Sequence, residues 1–199
     1  MKNLIILFLL VCSFGTNAQR TLIYAGRLID GESDKPRSDQ TIIIEGKSIT
    51  SVENGYVKPV QNDQVIDLKN KTVMPGLIDM HVHLEGETSK DGYLKEFTMN
   101  AADIAFESSK HAKTTLMAGF TTVRDVGGSG VNIPLRNAIN KGLVVGPRIY
   151  TSGKSLAITG GHADPTNGYR EDLMGDPTPK DGVVNGVEDA MKAVRQRYK

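Results

Sequence analysis

Apolar and turn-forming positions divide the chain into two regions with different repeats. In the first, residues 21–72, short apolar runs alternate with turn residues and show little helical periodicity, which predicts short β elements joined by turns. The pair Gly46-Lys47 lies between the runs Thr41–Glu45 and Ser48–Val52 and predicts a β-hairpin. In the second region, strand-like runs alternate with helix-like ones, which predicts parallel βαβ units.

The second region begins with Val73–Met80, an almost continuous apolar run interrupted at Pro75-Gly76. Such a run is typical of a strand buried on both faces. A long amphipathic helix is predicted next, because apolar residues recur at spacings of three, four and seven before Gly119. Its apolar face comprises Leu94, Phe97, Ala101, Ile104, Ala105, Ala112 and Leu116. The later elements are predicted at Phe120–Val126 (strand), Ile133–Leu143 (helix), Arg148–Ser152 (strand), Gly153–Gly186 (loop) and from Val187 (helix).

The first of these strands closes with His81-Val82-His83. Because side chains alternate along a strand, both imidazoles are expected on one face, where they can chelate one metal ion. Two polar residues that merely mark a strand's exit into solvent would have the same spacing, so the spacing alone leaves both interpretations open. Asp79 shares the parity of the histidines. Its carboxylate either holds an imidazole or is satisfied by backbone or basic neighbours.

The longer stretch Val73–Glu87, with Pro-Gly-Leu-Ile-Asp-Met-His-Val-His at its centre, resembles the first barrel strand of the amidohydrolase superfamily. Gly119–Gly128 and Gly146–Gly153 resemble the next two barrel strands, and Thr159–Asp164 resembles the loop after the third. Together these segments are similar to the imidazolonepropionase-like branch, which includes prolidase-type dipeptidases acting on Xaa-Pro and related dipeptides.

The resemblance implies an α/β fold, the N-terminal part of a metal-dependent (β/α)8 TIM barrel preceded by a small β-sandwich segment. Residues 19–72 are then expected to form part of the sandwich, and residues 73–199 the first three β-α units. A complete barrel has eight units in roughly 250 residues, so we expect the barrel to be incomplete in this chain. The product itself is expected to be a fragment, inactive and poorly folded alone.

The resemblance also implies that His81 and His83 bind the more buried of one or two divalent cations, with zinc the first expectation. Such an ion lowers the pKa of bound water towards neutrality, and the resulting hydroxide attacks an amide or ester carbonyl. The family's remaining ligands are a carboxylated lysine, two histidines and an aspartate on later strands. Those strands are not expected in this chain.

Active sites of such barrels lie at the carboxyl ends of the strands, where Asp125 ends the second strand. We therefore expect an active-site role for Asp125. Arg124 must face the opposite way, against a helix or paired with a carboxylate.

His162 lies in the loop after the third strand, beside Gly160-Gly161. By the resemblance, it touches the substrate or polarises its carbonyl. The family pattern usually has glycine where this chain has Ala163, which would matter if the position needed a positive φ. Asp164 either orients His162 or forms an ordinary turn. His111 is expected on a solvated helix surface.

Residues 1–18 have the charged, apolar and small-residue pattern of an export signal, with Leu4–Val11 wholly apolar and Gln19 as the expected first mature residue. The apolar stretch is shorter than the about 20 residues that span a bilayer. Cys12, the only cysteine, lies in this segment, and an acylated lipoprotein signal is the alternative. We expect a periplasmic or secreted protein with no stable membrane anchor after cleavage and no disulfides.

Composition changes this picture little, since the chain is 39% hydrophobic and 24% charged with a formal net charge of +1. No basic footprint for nucleic acid is present. The expected function is hydrolysis of C–N bonds in a small molecule such as a dipeptide or an N-acyl amino acid. A homo-oligomer is a possible assembly of the protein. The alternatives are a hydrolase of cyclic amides, lactones or organophosphate esters on the same barrel, or a catalytically inactive secreted remnant.

Overall fold

The computed structural model describes residues 19–198. The predicted export signal, with Cys12, lies outside the described residues. The chain divides into two compact units, whose described parts are residues 19–75 and 76–198. This division falls close to the boundary predicted between residues 72 and 73.

The first unit is a four-stranded sheet with the strand order β3-β2-β1-β4. Its strands are β1 (Arg20–Leu28), β2 (Arg37–Glu45), β3 (Ser48–Asn54) and β4 (Gln64–Val73). β1 lies inside the sheet, antiparallel to β2 and parallel to β4. Buried apolar side chains of the two inner strands form the core, namely Leu22, Tyr24, Ala25, Leu28, Ile42 and Ile43. The predicted hairpin is confirmed, because Glu45 pairs with Ser48 across a turn in which Gly46 has a φ of 62°.

β4 is irregular where it passes Gly26. The pairing register of β1 and β4 shifts between Ala25 and Arg27. The Lys69 carbonyl approaches so closely that a Cβ on Gly26 would lie 1.9 Å from its oxygen. Only glycine leaves room for this bulge.

The second unit holds a parallel sheet with the order β5-β6-β7. Its elements are β5 (Leu77–Val82), α1 (Gly92–Thr98), α2 (Ala101–Met117), β6 (Phe120–Asp125), α3 (Asn132–Asn140), β7 (Arg148–Thr151), α4 (Glu171–Met174) and α5 (Val187–Tyr198). α2 and α3 pack on one face of this sheet, in a core formed by Leu84, Ala112, Val123, Leu135 and Ile149. The predicted parallel βαβ pattern is confirmed. No described helix combines the length and apolar character needed to cross a membrane.

The single long helix predicted after the first barrel strand is wrong, because the segment forms α1 and α2 with a break at Met99 and Asn100. Asn100 is extended, with φ −88° and ψ 167°. The Asp103 carboxylate accepts the Asn100 N–H at 2.8 Å, as in a capping box, and this starts a new helix.

The strand predicted over Val73–Met80 is also interrupted, since Val73 ends β4 and β5 begins only at Leu77. Burial of this strand on both faces is wrong for the described chain: Ile78 is 61% exposed and Met80 57%. The physical reason is that β5 is an edge strand, paired with β6 alone among the described strands.

Candidate active site

The two histidines of the His-x-His motif lie together at the end of β5. Their ring centroids are 5.4 Å apart and their planes are inclined at 71°. Both residues are exposed. The structure thus brings the two predicted ligands together, and their role as a chelating pair stays a prediction.

The ring of His83 is held in one orientation. Its Nδ1 lies 2.9 Å from the Gly127 carbonyl oxygen. Because a carbonyl can only accept, we assign the proton to Nδ1, which donates this bond. Nε2 then carries the free lone pair, the form in which imidazole binds a metal.

For Asp79, the structure shows a carboxylate that is satisfied by the backbone. Its carboxylate accepts the His81 N–H at 3.0 Å rather than holding an imidazole. The register of β5 on β6 also shifts between Asp79 and Val82, so strict alternation does not run from Asp79 to the histidines.

Asp125 is 1% exposed and lies beneath the loops that follow the strands. Its Oδ2 accepts the Leu84 N–H at 3.0 Å, and its Oδ1 accepts the Gly127 N–H at 3.3 Å. Oδ1 also accepts a bond from the Asn132 side-chain amide at 3.0 Å. The predicted catalytic role of Asp125 stays a prediction, and the observed contacts make it a support for the His83 loop. Arg124 faces the other way, as expected, but donates to the Met80 carbonyl at 2.6 Å instead of to a carboxylate.

His162 and His83 line the same cavity, which has a volume of about 640 Å³. The cavity is also lined by Glu85, Gly127, Gly128, Ser129, Lys154, Ser155, Asp164, Met174, Asp176 and Asp181. Lys154 Nζ lies 3.7 Å from Asp181 Oδ1, so a cation and a carboxylate sit in the wall. The structure thus brings a predicted metal ligand and the predicted substrate-contacting histidine together.

Asp164 organises the backbone of the His162 loop. Its carboxylate accepts the Gly160 N–H at 2.7 Å and the N–H and hydroxyl of Thr166 at 2.9 and 2.7 Å. These bonds, from the Thr166 and Gly160 amides first, hold the pKa of Asp164 below its usual value. Among the described residues other than glycine, only Asp39 and Asn62 have a positive φ. Ala163 therefore has a negative φ, and its side chain causes no backbone strain of this kind.

A family model described as the amidohydrolase family matches residues 72–199. The chain belongs to the amidohydrolase family. The resemblance recognised from the sequence motifs is thereby confirmed.

Relatives of this amidohydrolase chain agree with that assignment. A crystal structure of a Xaa-Pro dipeptidase with methionine bound in its active site has a TM-score of 0.83 and 47% identity, and the match covers 90% of this chain and 44% of that one. A prolidase crystallised with N-methylphosphonate-L-proline has a TM-score of 0.76 and 34% identity over 90% of this chain and 44% of that one. Ochratoxinase of Aspergillus niger is 30% identical over 207 residues, 94% of this chain and 41% of the relative.

The amidohydrolase chain therefore spans less than half the length of these relatives. The predicted fold class, an α/β chain holding part of an amidohydrolase barrel, is confirmed by the structural likeness over that part.

Within residues 19–198 of this amidohydrolase, no group of three or more His, Cys, Asp or Glu side chains is placed to hold a metal ion. His81 and His83 fit a divalent cation as two of its ligands, because imidazole nitrogen is a ligand that zinc prefers. A tight site takes three or four protein ligands, so the described pair supplies part of a set.

Two site residues were missed by sequence reasoning. Glu85 accepts the Asn132 N–H at 2.8 Å and the Ser129 N–H at 2.5 Å. The Asn132 side chain also donates to the Gly153 carbonyl at 3.1 Å. Both residues join segments that are far apart in the chain, so no local spacing points to them. The solvated position predicted for His111 is wrong, because its side chain is only 19% exposed, beside the loop that carries Glu87.

Proposed function

We propose that the protein is an exported, metal-dependent amidohydrolase that cleaves the C–N bond of a dipeptide or an N-acyl amino acid. The observation that carries this proposal is the shared cavity of His83 and His162, in which the His83 ring is already held with Nε2 free. The likeness to a Xaa-Pro dipeptidase supports the substrate class.

In this proposal His81 and His83 hold a divalent cation, zinc first, together with ligands beyond the described pair. When bound, such an ion supplies Lewis-acid polarisation of the scissile carbonyl and lowers the pKa of a water molecule. His83 keeps its productive ring orientation through Gly127, so no rearrangement is needed on metal binding.

His162 is proposed to contact the substrate carbonyl in the cavity that it lines together with His83. Its loop is held by the Asp164 carboxylate, which leaves the imidazole itself free for the substrate. Lys154 provides a positive charge in the cavity wall that suits the free carboxylate of a dipeptide. The cavity volume of about 640 Å³ lies within the range of small-molecule sites.

The test uses the full protein that carries this sequence, with His81→Ala and His83→Ala variants and His111→Ala as the matched control. His111 lies on α2 in the same unit and is not among the residues lining the cavity. We expect each of the first two variants to lose its metal, measured by mass-spectrometric metal analysis. Turnover should fall by more than the factor of about 10–100 that is expected when only an indirect contact to the metal is lost. The control should keep both metal and turnover. Retained metal in both variants contradicts the proposed site.

His162→Ala separates substrate contact from metal binding. Metal content should stay at the wild-type level, while kcat/KM for Xaa-Pro dipeptides and N-acyl amino acids falls by about 10²–10⁴-fold. Loss of metal would instead make His162 a ligand. Turnover of lactones or organophosphate esters, with none of dipeptides, would favour the alternative hydrolases, and no turnover at all by a metal-loaded protein would favour an inactive remnant.

The export part of the proposal rests on the pattern of residues 1–18. Mass spectrometry of the protein from its natural host should find Gln19 at the mature N-terminus. An intact Met1 or a lipidated Cys12 would contradict it.

A further inference from the structure

A buried polar bridge joins the three loops that surround His83. We give the name carboxyl rim to residues 83–85, 125–132 and 152–155, which comprise the loops after β5, β6 and β7, the last residue of β6 and the first residue of α3. Asn132 is the first residue of α3 and is 0% exposed. Its amide nitrogen donates to Asp125 Oδ1 at 3.0 Å and to the Gly153 carbonyl at 3.1 Å.

The orientation of the Asn132 amide follows from its partners. A carboxylate and a carbonyl can only accept, so both contacts require Nδ2 and exclude the flipped amide. The Glu85 carboxylate holds the main chain of the same residue, through the Asn132 N–H at 2.8 Å. Asn132 is therefore held through both its main chain and its side chain.

Asp125 carries this constraint to His83 by two routes. One oxygen accepts the N–H of Leu84, the residue that follows His83. The other accepts the N–H of Gly127, whose carbonyl accepts the His83 Nδ1–H. The backbone beside His83 and the acceptor of its ring proton thus depend on one buried carboxylate.

From this geometry we infer that Asn132 is a positioning residue that fixes the His83 tautomer through Asp125. Without the amide, Oδ1 of Asp125 loses a donor in a site with 1% exposure, and the carboxylate must move towards other donors. Such a move displaces Gly127 and frees the ring of His83 to protonate on either nitrogen. The inference deepens the proposed function and rests on it, because the fixed tautomer matters when Nε2 binds metal.

The test compares Asn132→Leu, which branches at Cγ like asparagine but is larger and has no donor, with the smaller Asn132→Ser, which has a single O–H donor. The matched control is Ser108→Ala. Ser108 is also a 0% exposed polar residue of a helix in the same unit, but its hydroxyl donates only to Ile104 one turn away, at 2.6 Å. All are made in the full protein that carries this sequence.

Two readouts respond to positioning rather than to stability. Zinc affinity, measured by chelator competition well below the melting temperature, should fall by about 10–100-fold in Asn132→Leu and by less in Asn132→Ser. In the metal-free protein at about pH 8, where ordinary imidazoles are neutral, ¹⁵N NMR of His83 should show the Nδ1–H tautomer in wild type and a mixture in Asn132→Leu. Ser108→Ala should match wild type in both.

Wild-type zinc affinity together with an unchanged His83 tautomer in the Asn132 variants would overturn the inference. If Asn132→Leu does not fold, the Asn132→Ser result decides. A wild-type protein that binds neither zinc nor another divalent cation overturns the proposed function, whereas cation binding and a His83 tautomer that are both insensitive to Asn132 overturn this inference alone.

Discussion

The two sheets obtain their order from different sources. In the first, β1 has neighbours on both sides, and Leu22 and Ala25 are 0% exposed. In the second, β6 alone among the described strands is flanked on both sides, and Met80 on β5 and Tyr150 on β7 are 57% and 60% exposed.

In the second unit, polar groups are buried at the carboxyl rim beside apolar ones such as Leu84 and Val131, which are 4% and 7% exposed. Asp125 and Asn132 are 1% and 0% exposed and are bonded to each other. The candidate site is therefore held together by buried polar contacts, while the strand faces beside it lack cover from the described residues. Packing changes should therefore damage the first sheet most, and polar changes should affect the rim.

Gly26→Ala should have the largest effect on stability. Its Cβ would lie 1.9 Å from a main-chain oxygen of β4, which cannot swing aside, so the β1–β4 pairing must separate. We expect a loss of about 3 kcal/mol or more in the free energy of unfolding, measured by urea denaturation. Gly86→Ala is the matched control, because nothing lies within 4 Å of its added Cβ. A difference of less than about 1 kcal/mol between the two would contradict the rigid bulge.

Gly128→Ala should have a smaller effect, and it should act on the rim. Its Cβ would lie 2.5 Å from the Glu85 carboxyl carbon, a side-chain atom that can move. The expected loss is about 1–3 kcal/mol, again against Gly86→Ala. Because Glu85 holds the Ser129 and Asn132 amides, hydrogen exchange at these two amides should speed up. Unchanged exchange would show that the rim does not depend on Glu85.

The smallest expected effect is on the pH dependence of stability, and it is tested with one carboxylate from each unit. The Ser33 and Glu32 amides lower the pKa of Asp30 to about 2, and the Thr166 and Gly160 amides lower the pKa of Asp164. A carboxylate whose pKa is lowered in the folded state contributes stability that is present above its ordinary pKa of 3.8. This stability is lost as the pH falls below that value, and for Asp30 the loss continues through its folded-state pKa of about 2.

Asp30→Asn and Asp164→Asn should each reduce the fall of melting temperature below pH 3.8, the ordinary pKa of an aspartate side chain. Asp164→Asn alone should also speed amide exchange at Gly160 and Thr166 in the His162 loop. If the melting temperature of a variant fell with pH as steeply as that of the wild type, the substituted carboxylate would not contribute to the pH dependence of stability.

Local sequence signals predicted much of this architecture and the centre of the site. The hairpin at Gly46 and the His81–His83 pair were found because their geometry depends on residues within a few positions. The helix break at Asn100 was missed, because Asp103 fits the polar face of one long helix equally well. Asn132 and Glu85 were missed for another reason: their bonds join residues 47 positions apart, and no periodicity reports such a contact.

One part of the cavity wall comes from a segment of the chain that is separate from the two histidines. Met174, Asp176 and Asp181 belong to the segment after the start of α4, whereas His81 and His83 belong to β5 and its end. Asn132 fixes the junction at Gly153, before that segment begins. Exchanging residues 174–181 as a cassette would therefore change this part of the cavity wall and leave the segment that carries His81 and His83 unaltered.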